Sequence, residues 1–118
     1  MTVLATITDH HRGGVAIARI EGEIDASNAT WAEARLRSLV TNRCEALVVD
    51  LTAITYLDSA GIALLFELSA ALRRHQQELR LVVDDGSPIA RVLTLTALVS
   101  EVPTHPTLDA ALDQQAGS

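Results

Sequence analysis

The stretch that most restricts how this chain can fold runs from Ala46 to Val83. Ala46 to Leu51 is apolar apart from Asp50, with Val48 and Val49 at its heart, which is the pattern of a buried, central strand. Thr52 to Leu57 reads as a short connection to Asp58-Ser59-Ala60-Gly61, which opens a long helix running to about His75. Ile62, Leu64, Leu65, Phe66, Leu68 and Leu72 make that helix apolar over much of its circumference, so its body has to pack against a sheet. Leu79 to Val83 follows as another strand. Strand, helix and strand in that order imply a parallel pair joined by a right-handed crossover.

The flanking segments complete a layered α/β pattern. Val3 to Thr8 alternates apolar and polar residues, His10 to Gly14 reads as a turn, and Val15 to Ile20 resumes the alternation, which predicts an antiparallel hairpin. Gly22 interrupts the pattern just before Glu23-Ile24-Asp25, where the chain is expected to leave the sheet. Asp25, Ser27, Asn28 and Thr30 are all good helix caps, and Thr30 with Glu33 has the spacing of a capping box. Ala29, Ala32, Leu36, Leu39 and Val40 then share one helical face, with Trp31 off it and an end near Asn42. Ser87-Pro88 starts a short helix through about Leu95. Glu101 to Thr104 reads as a brief edge strand, because Pro103 excludes a central one. Thr107 caps a closing helix to Asp113. The expected fold is one α/β domain over residues 1–113, with a mixed four- to five-stranded sheet, an N-terminal hairpin and flanking helices; residues 114–118 read as a disordered tail.

Composition narrows the function. With 48% apolar residues but a single Phe, Tyr and Trp, the core has to be aliphatic. A formal charge of −6 argues against nucleic acid, which needs a clustered basic surface; Arg73 and Arg74, beside His75, read as a solvated helix end. Cys44 is the only cysteine, so no intramolecular disulfide forms, and it reads as a small buried hydrophobe. The longest apolar run stops at Glu67, far short of the ~20 residues of a membrane span. The N-terminus lacks the pattern of a signal peptide. A cytoplasmic protein that binds neither nucleic acid nor membrane is expected. His10 and His11 would point to opposite faces of a strand, and His75 and His105 have no spaced partner, so no metal site is expected. Phosphate-loop, dinucleotide and nucleophile-elbow motifs are missing, and no cofactor is expected.

Ser59 is the residue on which a function can be built. Asp58 or Ser59 is a plain helix cap on one reading. On another, the Ser59 hydroxyl is exposed at the helix start and accepts a phosphate, an anion that a helix N-terminus tolerates while Asp58 next door works against it. A serine hydrolase needs a base and an oxyanion hole, and no histidine sits where the sequence would supply one.

Three blocks, Gly22-Glu23-Ile24-Asp25-Ala26-Ser27-Asn28, Val48-Val49-Asp50-Leu51-Thr52 and Tyr56-Leu57-Asp58-Ser59-Ala60-Gly61-Ile62, resemble the STAS-domain anti-sigma factor antagonists of bacteria. Arg91 to Leu98 and Thr107 to Leu112 also fit that pattern, in the right order along the chain. The resemblance implies partner switching. The unphosphorylated antagonist binds an anti-sigma factor that is itself a serine kinase and so releases a sigma factor. Phosphorylation, here on Ser59, ends binding, and a cognate phosphatase restores it. The antagonist is then a substrate and not an enzyme. The docking face would comprise Asp25, Ser27, Asn28, Asp58, Ala60, Gly61 and Ile62, with Gly61 admitting close approach of the partner. Ala60 stands where many relatives carry a second serine. Trp31 replaces a smaller residue, either as an interface anchor or as a ring lying on its neighbours. A STAS scaffold subunit of a stress-signalling complex or lipid-transport ATPase is the alternative within the same resemblance.

Overall fold

A computed structural model describes residues 4–113. The proposed tail at 114–118 and the start of the first strand at Val3 lie outside the described residues. The order of elements is β1 (Ala5–Arg12), β2 (Val15–Ile24), α1 (Ala29–Ser38), β3 (Ala46–Leu57), α2 (Ser59–Arg73), β4 (Glu78–Val82), α3 (Pro88–Thr94), α4 (Leu98–Glu101), β5 (Thr104–His105) and α5 (Leu108–Asp113). The five strands form one mixed sheet in the order β1-β2-β3-β4-β5. The β1–β2 hairpin is antiparallel and every other pair is parallel.

Alternation along the strands divides the core between two faces. Ala16, Ala18 and Ile20 of β2, Leu47, Val49 and Leu51 of β3, and Leu79 and Leu81 of β4 meet α1, α2 and α3 in the larger layer. Val15, Ile17, Ala46, Val48 and Val82 face the other way, against Ala111 of α5. Arg80 also lies on that second face and is buried, with its Nη1 donating to the Ala111 carbonyl at 3.1 Å. The core is aliphatic, as composition requires, and Cys44 is buried in it.

Several boundaries differ from expectation, each for a physical reason. The hairpin turn is only Gly13-Gly14, with Gly13 at φ 60°, and β1 runs on through the histidines because His10 and His11 pair with Ile17 and Ala16. The β3 strand does not stop at Leu51. It continues through the expected connection to Leu57, since β2 also extends to Ile24 and pairs with it there. Register shifts between Arg19 and Glu21 and between Gly22 and Glu23 break the two-residue period, which hides this extension from a periodicity reading. Glu101 ends α4 instead of starting a strand. The edge strand is Thr104–His105, and Pro103 contributes only its carbonyl, accepting from the Leu81 amide at 3.0 Å.

Gly22 is the residue that this extension cannot replace. Its φ is 107°, a Cβ there would overlap the Leu4 carbonyl oxygen, and the next amide, of Glu23, donates to that same oxygen at 2.9 Å. Gly22→Ala is expected to destabilise the domain by about 2–4 kcal/mol. Urea unfolding of the two proteins measures this, and an unchanged midpoint would contradict the close approach.

Candidate functional site

Two loops that are far apart in sequence meet at the C-terminal end of the parallel strands. Ile24 and Leu57 end β2 and β3 side by side, and the Asp58 amide donates to the Ile24 carbonyl at 3.4 Å. The chain from β2 therefore enters the Asp25 loop beside the point where β3 hands over to α2.

Asp58 is the cap of α2. Its backbone is extended (φ −103°, ψ −167°), and its Oδ1 accepts from the Ala60 amide at 2.9 Å and the Gly61 amide at 3.3 Å. Ser59 is thus the first helical residue rather than the cap. It is exposed, and among the described residues nothing accepts from or donates to its hydroxyl. A base in hydrogen-bond contact, which a serine nucleophile requires, is not among its neighbours. Ala60 and Ile62 are partly buried, with Ile62 packed against the core.

Gly61 requires a correction. It is buried, facing inward and not toward a partner, and a Cβ at this position would overlap Leu57 and crowd Ile24. Its missing side chain lets the first turn of α2 approach the ends of β2 and β3. The close approach at Gly61 is to Leu57 and Ile24 inside the protein, not to a partner.

The Asp25 loop is locked by its own polar groups. Asp25 Oδ1 accepts from the Ser27 amide at 2.8 Å and the Ser27 hydroxyl at 2.6 Å. Asn28 uses both ends of its amide: Nδ2 donates to the Glu23 carbonyl at 2.9 Å, and Oδ1 accepts from the Asp25 amide at 3.0 Å. Asn28 is the cap residue of α1 by position, yet its side chain makes no cap bond because it is committed to this loop. The expected capping box does not form. Thr30 already lies within α1, and Glu33 pairs instead with Arg37 at 2.7 Å.

Trp31, in the first turn of α1, is 48% exposed, so its ring is half open to solvent. Tyr56 is equally exposed, opposite Glu23 near the end of β3, and was not singled out from sequence. Its signal was available, as the only tyrosine and three residues before Ser59. The remaining candidates lie elsewhere. His11 is 3.1 Å from the Leu39 carbonyl through Nε2, and Arg73 donates to the Glu101 carbonyl at 2.7 Å. Among the described residues, no group of three His, Cys, Asp or Glu side chains could hold a metal, and no helix is long and apolar enough to cross a membrane.

The Ser27 hydroxyl, and after it the Ser27 amide, hold the Asp25 carboxyl below its ordinary value of 3.8. A depressed carboxylate pKa stabilises the folded loop above the ordinary carboxylate range, and that contribution is lost as pH falls through the folded-state value. Ser27→Ala removes the leading cause. Carbon-detected NMR titration should show the Asp25 midpoint moving up toward 3.8, and no movement would refute the hydrogen-bond origin.

Comparison with known proteins bears on the fold that carries this geometry. The family model described as STAS domain matches residues 6–111. The chain is 33% identical over 112 residues to the Anti-sigma-F factor antagonist RsfB of Mycobacterium tuberculosis, covering 94% of this chain and 88% of that protein. It superposes with a TM-score of 0.82 and 30% identity on the crystal structure of an anti-sigma factor antagonist from Mycobacterium paratuberculosis, over 93% of this chain and 92% of that one. A structure of the anti-sigma factor antagonist SpoIIAA in its unphosphorylated form shares the fold at a TM-score of 0.70 and 16% identity, over 96% of this chain and 100% of that one.

Proposed function

The chain belongs to the STAS domain family, and from that premise we propose that it is an anti-sigma factor antagonist switched by phosphorylation of Ser59. Unphosphorylated, it binds an anti-sigma factor that is also a serine kinase, and a sigma factor is released. The observation that carries this reading is the exposed Ser59 hydroxyl on the first residue of α2, without an intramolecular partner and beside the locked Asp25 loop. The docking face comprises Asp25, Ser27, Asn28, Asp58, Ala60 and Ile62, with Trp31 and Tyr56 as its half-exposed aromatics. Gly61 supports the face from below.

In the phosphoryl transfer, Ser59 Oγ bonds to the γ-phosphorus of ATP as the bond to the departing ADP breaks, and the serine proton passes to a base of the kinase. The antagonist supplies a hydroxyl and a surface, and the partner supplies the catalyst. The product carries a charge of about −2 in the middle of the contact. A penalty of only about 3 kcal/mol lowers affinity roughly 150-fold, enough to turn a binder into a non-binder. A cognate phosphatase hydrolyses the phosphoester and resets the switch.

Intact-mass analysis after incubation with ATP and the host's anti-sigma serine kinases tests the assignment. The wild type is expected to gain one phosphate and Ser59→Ala none, while Ser59→Asp binds the kinase at least tenfold more weakly (~1.4 kcal/mol). Equal phosphorylation of Ser59→Ala would sink the site assignment. Unchanged binding of Ser59→Asp would count against the charge mechanism.

A further inference from the structure

We propose that Asp58 is a positioning residue for the modified state: it holds the backbone amides that would otherwise bind a phosphate on Ser59, and so keeps that phosphate extended into solvent. The inference rests on Ser59 being the acceptor. The start of a long helix ordinarily neutralises an anion, because its first N–H groups lack carbonyl partners and the dipole is positive there. In α2 three of the first four donors, all but the amide of Ser59 itself, are already taken. Asp58 Oδ1 accepts from Ala60 at 2.9 Å and Gly61 at 3.3 Å, and the Ile62 amide donates to the Asp58 carbonyl at 3.0 Å. A phosphoryl group on the adjacent Ser59 meets a helix end that already holds a carboxylate. The turn has donors for one anion and would have to serve two. Whichever acid takes the Ala60 and Gly61 amides leaves the other without them.

The side chains that the topology brings to this end of the sheet are mostly acidic. Glu23 from β2, Asp25 from its loop, Asp58 itself, and Asp84 and Asp85 after β4 all stand at this end of the sheet, together with the Tyr56 phenol of β3. Arg12 at the hairpin, Arg37 and Arg43 around the end of α1, and Arg73 and Arg74 closing α2 stand at the opposite end. Arg19 is paired with Glu21 and Asp50, Arg35 with Asp9, Arg80 is buried against Ala111, and Arg91 is the exposed arginine of α3. A doubly charged group among these carboxylates is repelled by them and projects outward. There it stands in the way of a docked partner, which would have to desolvate it, and is accessible to a phosphatase.

The sign of the effect of phosphorylation on stability tests this. Phosphoserine is placed at position 59 during translation through an expanded genetic code, so no kinase takes part. Thermal midpoints of modified and unmodified full chains are then compared for wild type, Asp58→Ala and Asp58→Asn. Phosphorylation is expected to lower the wild-type Tm by about 2–6 °C and to raise that of Asp58→Ala, because its freed amides take the phosphate. In Asp58→Asn the amides stay occupied without the charge, so the drop should shrink without reversing. Phosphorus NMR should show the second phosphate ionisation at a higher pH in wild type than in Asp58→Ala. A rise in wild-type Tm, or an equal drop in wild type and Asp58→Ala, would overturn the inference. If Asp58→Ala fails to fold, equal phosphate midpoints in wild type and Asp58→Asn would overturn it. Failure of the kinase assay would remove the acceptor assignment instead, and leaves these measurements readable.

Discussion

The parallel pairing of β2 with β3, carried past the body of the sheet to Ile24 and Leu57, is the constraint on which the site depends. If both strands ended where their regular alternation ends, at Ile20 and Leu51, the Asp25 loop and the Asp58-Ser59 turn would be two unrelated connections. Continued pairing instead places them a backbone hydrogen bond apart, through the Asp58 amide and the Ile24 carbonyl. Gly22 permits the bulged register that makes the extension possible, and Gly61 lets α2 settle onto its end. Side chains then finish a geometry that the backbone has already set. Asp58 caps the helix, and Asp25, Ser27 and Asn28 tie the loop to itself.

Different parts of this arrangement were readable from sequence to different degrees. The Ala46-to-Val83 unit was legible because its signals are strong and local: a continuous apolar strand, a capped apolar helix and a second strand. The proposed phosphoacceptor role of Ser59 rests mainly on family resemblance, since a Ser after an Asp at a helix start is common on its own. What could not be read was tertiary. Asn28 looks like a helix cap in any local window, but the Glu23 carbonyl and the Asp25 amide recruit its side chain for the loop. Gly61 looks like a surface convenience until Leu57 and Ile24 are seen beneath it. The irregular register of β3 removed the two-residue period by which a strand announces itself.

The same contrast separates the two kinds of polar residue at the site. Asp25, Ser27, Asn28 and Asp58 are all engaged with neighbours, so their side chains have defined positions before any partner arrives. Ser59 is not engaged, which leaves its oxygen accessible on an ordered scaffold. Pre-ordered contacts reduce the entropy lost on docking, and an unencumbered hydroxyl is what a transferase needs to grip. Trp31 and Tyr56 add apolar area at the same end without being needed by the core.

Because the hydroxyl stands on a turn pinned from above by Asp58 and from below by Gly61, a mark written there is stored chemically and not conformationally. Loop motions relax within about nanoseconds to microseconds, and a switch built on one forgets its setting as soon as its ligand leaves. A phosphate ester on a rigid turn has no such leak. The protein would behave as a one-bit memory whose retention time is set by the enzymes that write and erase it.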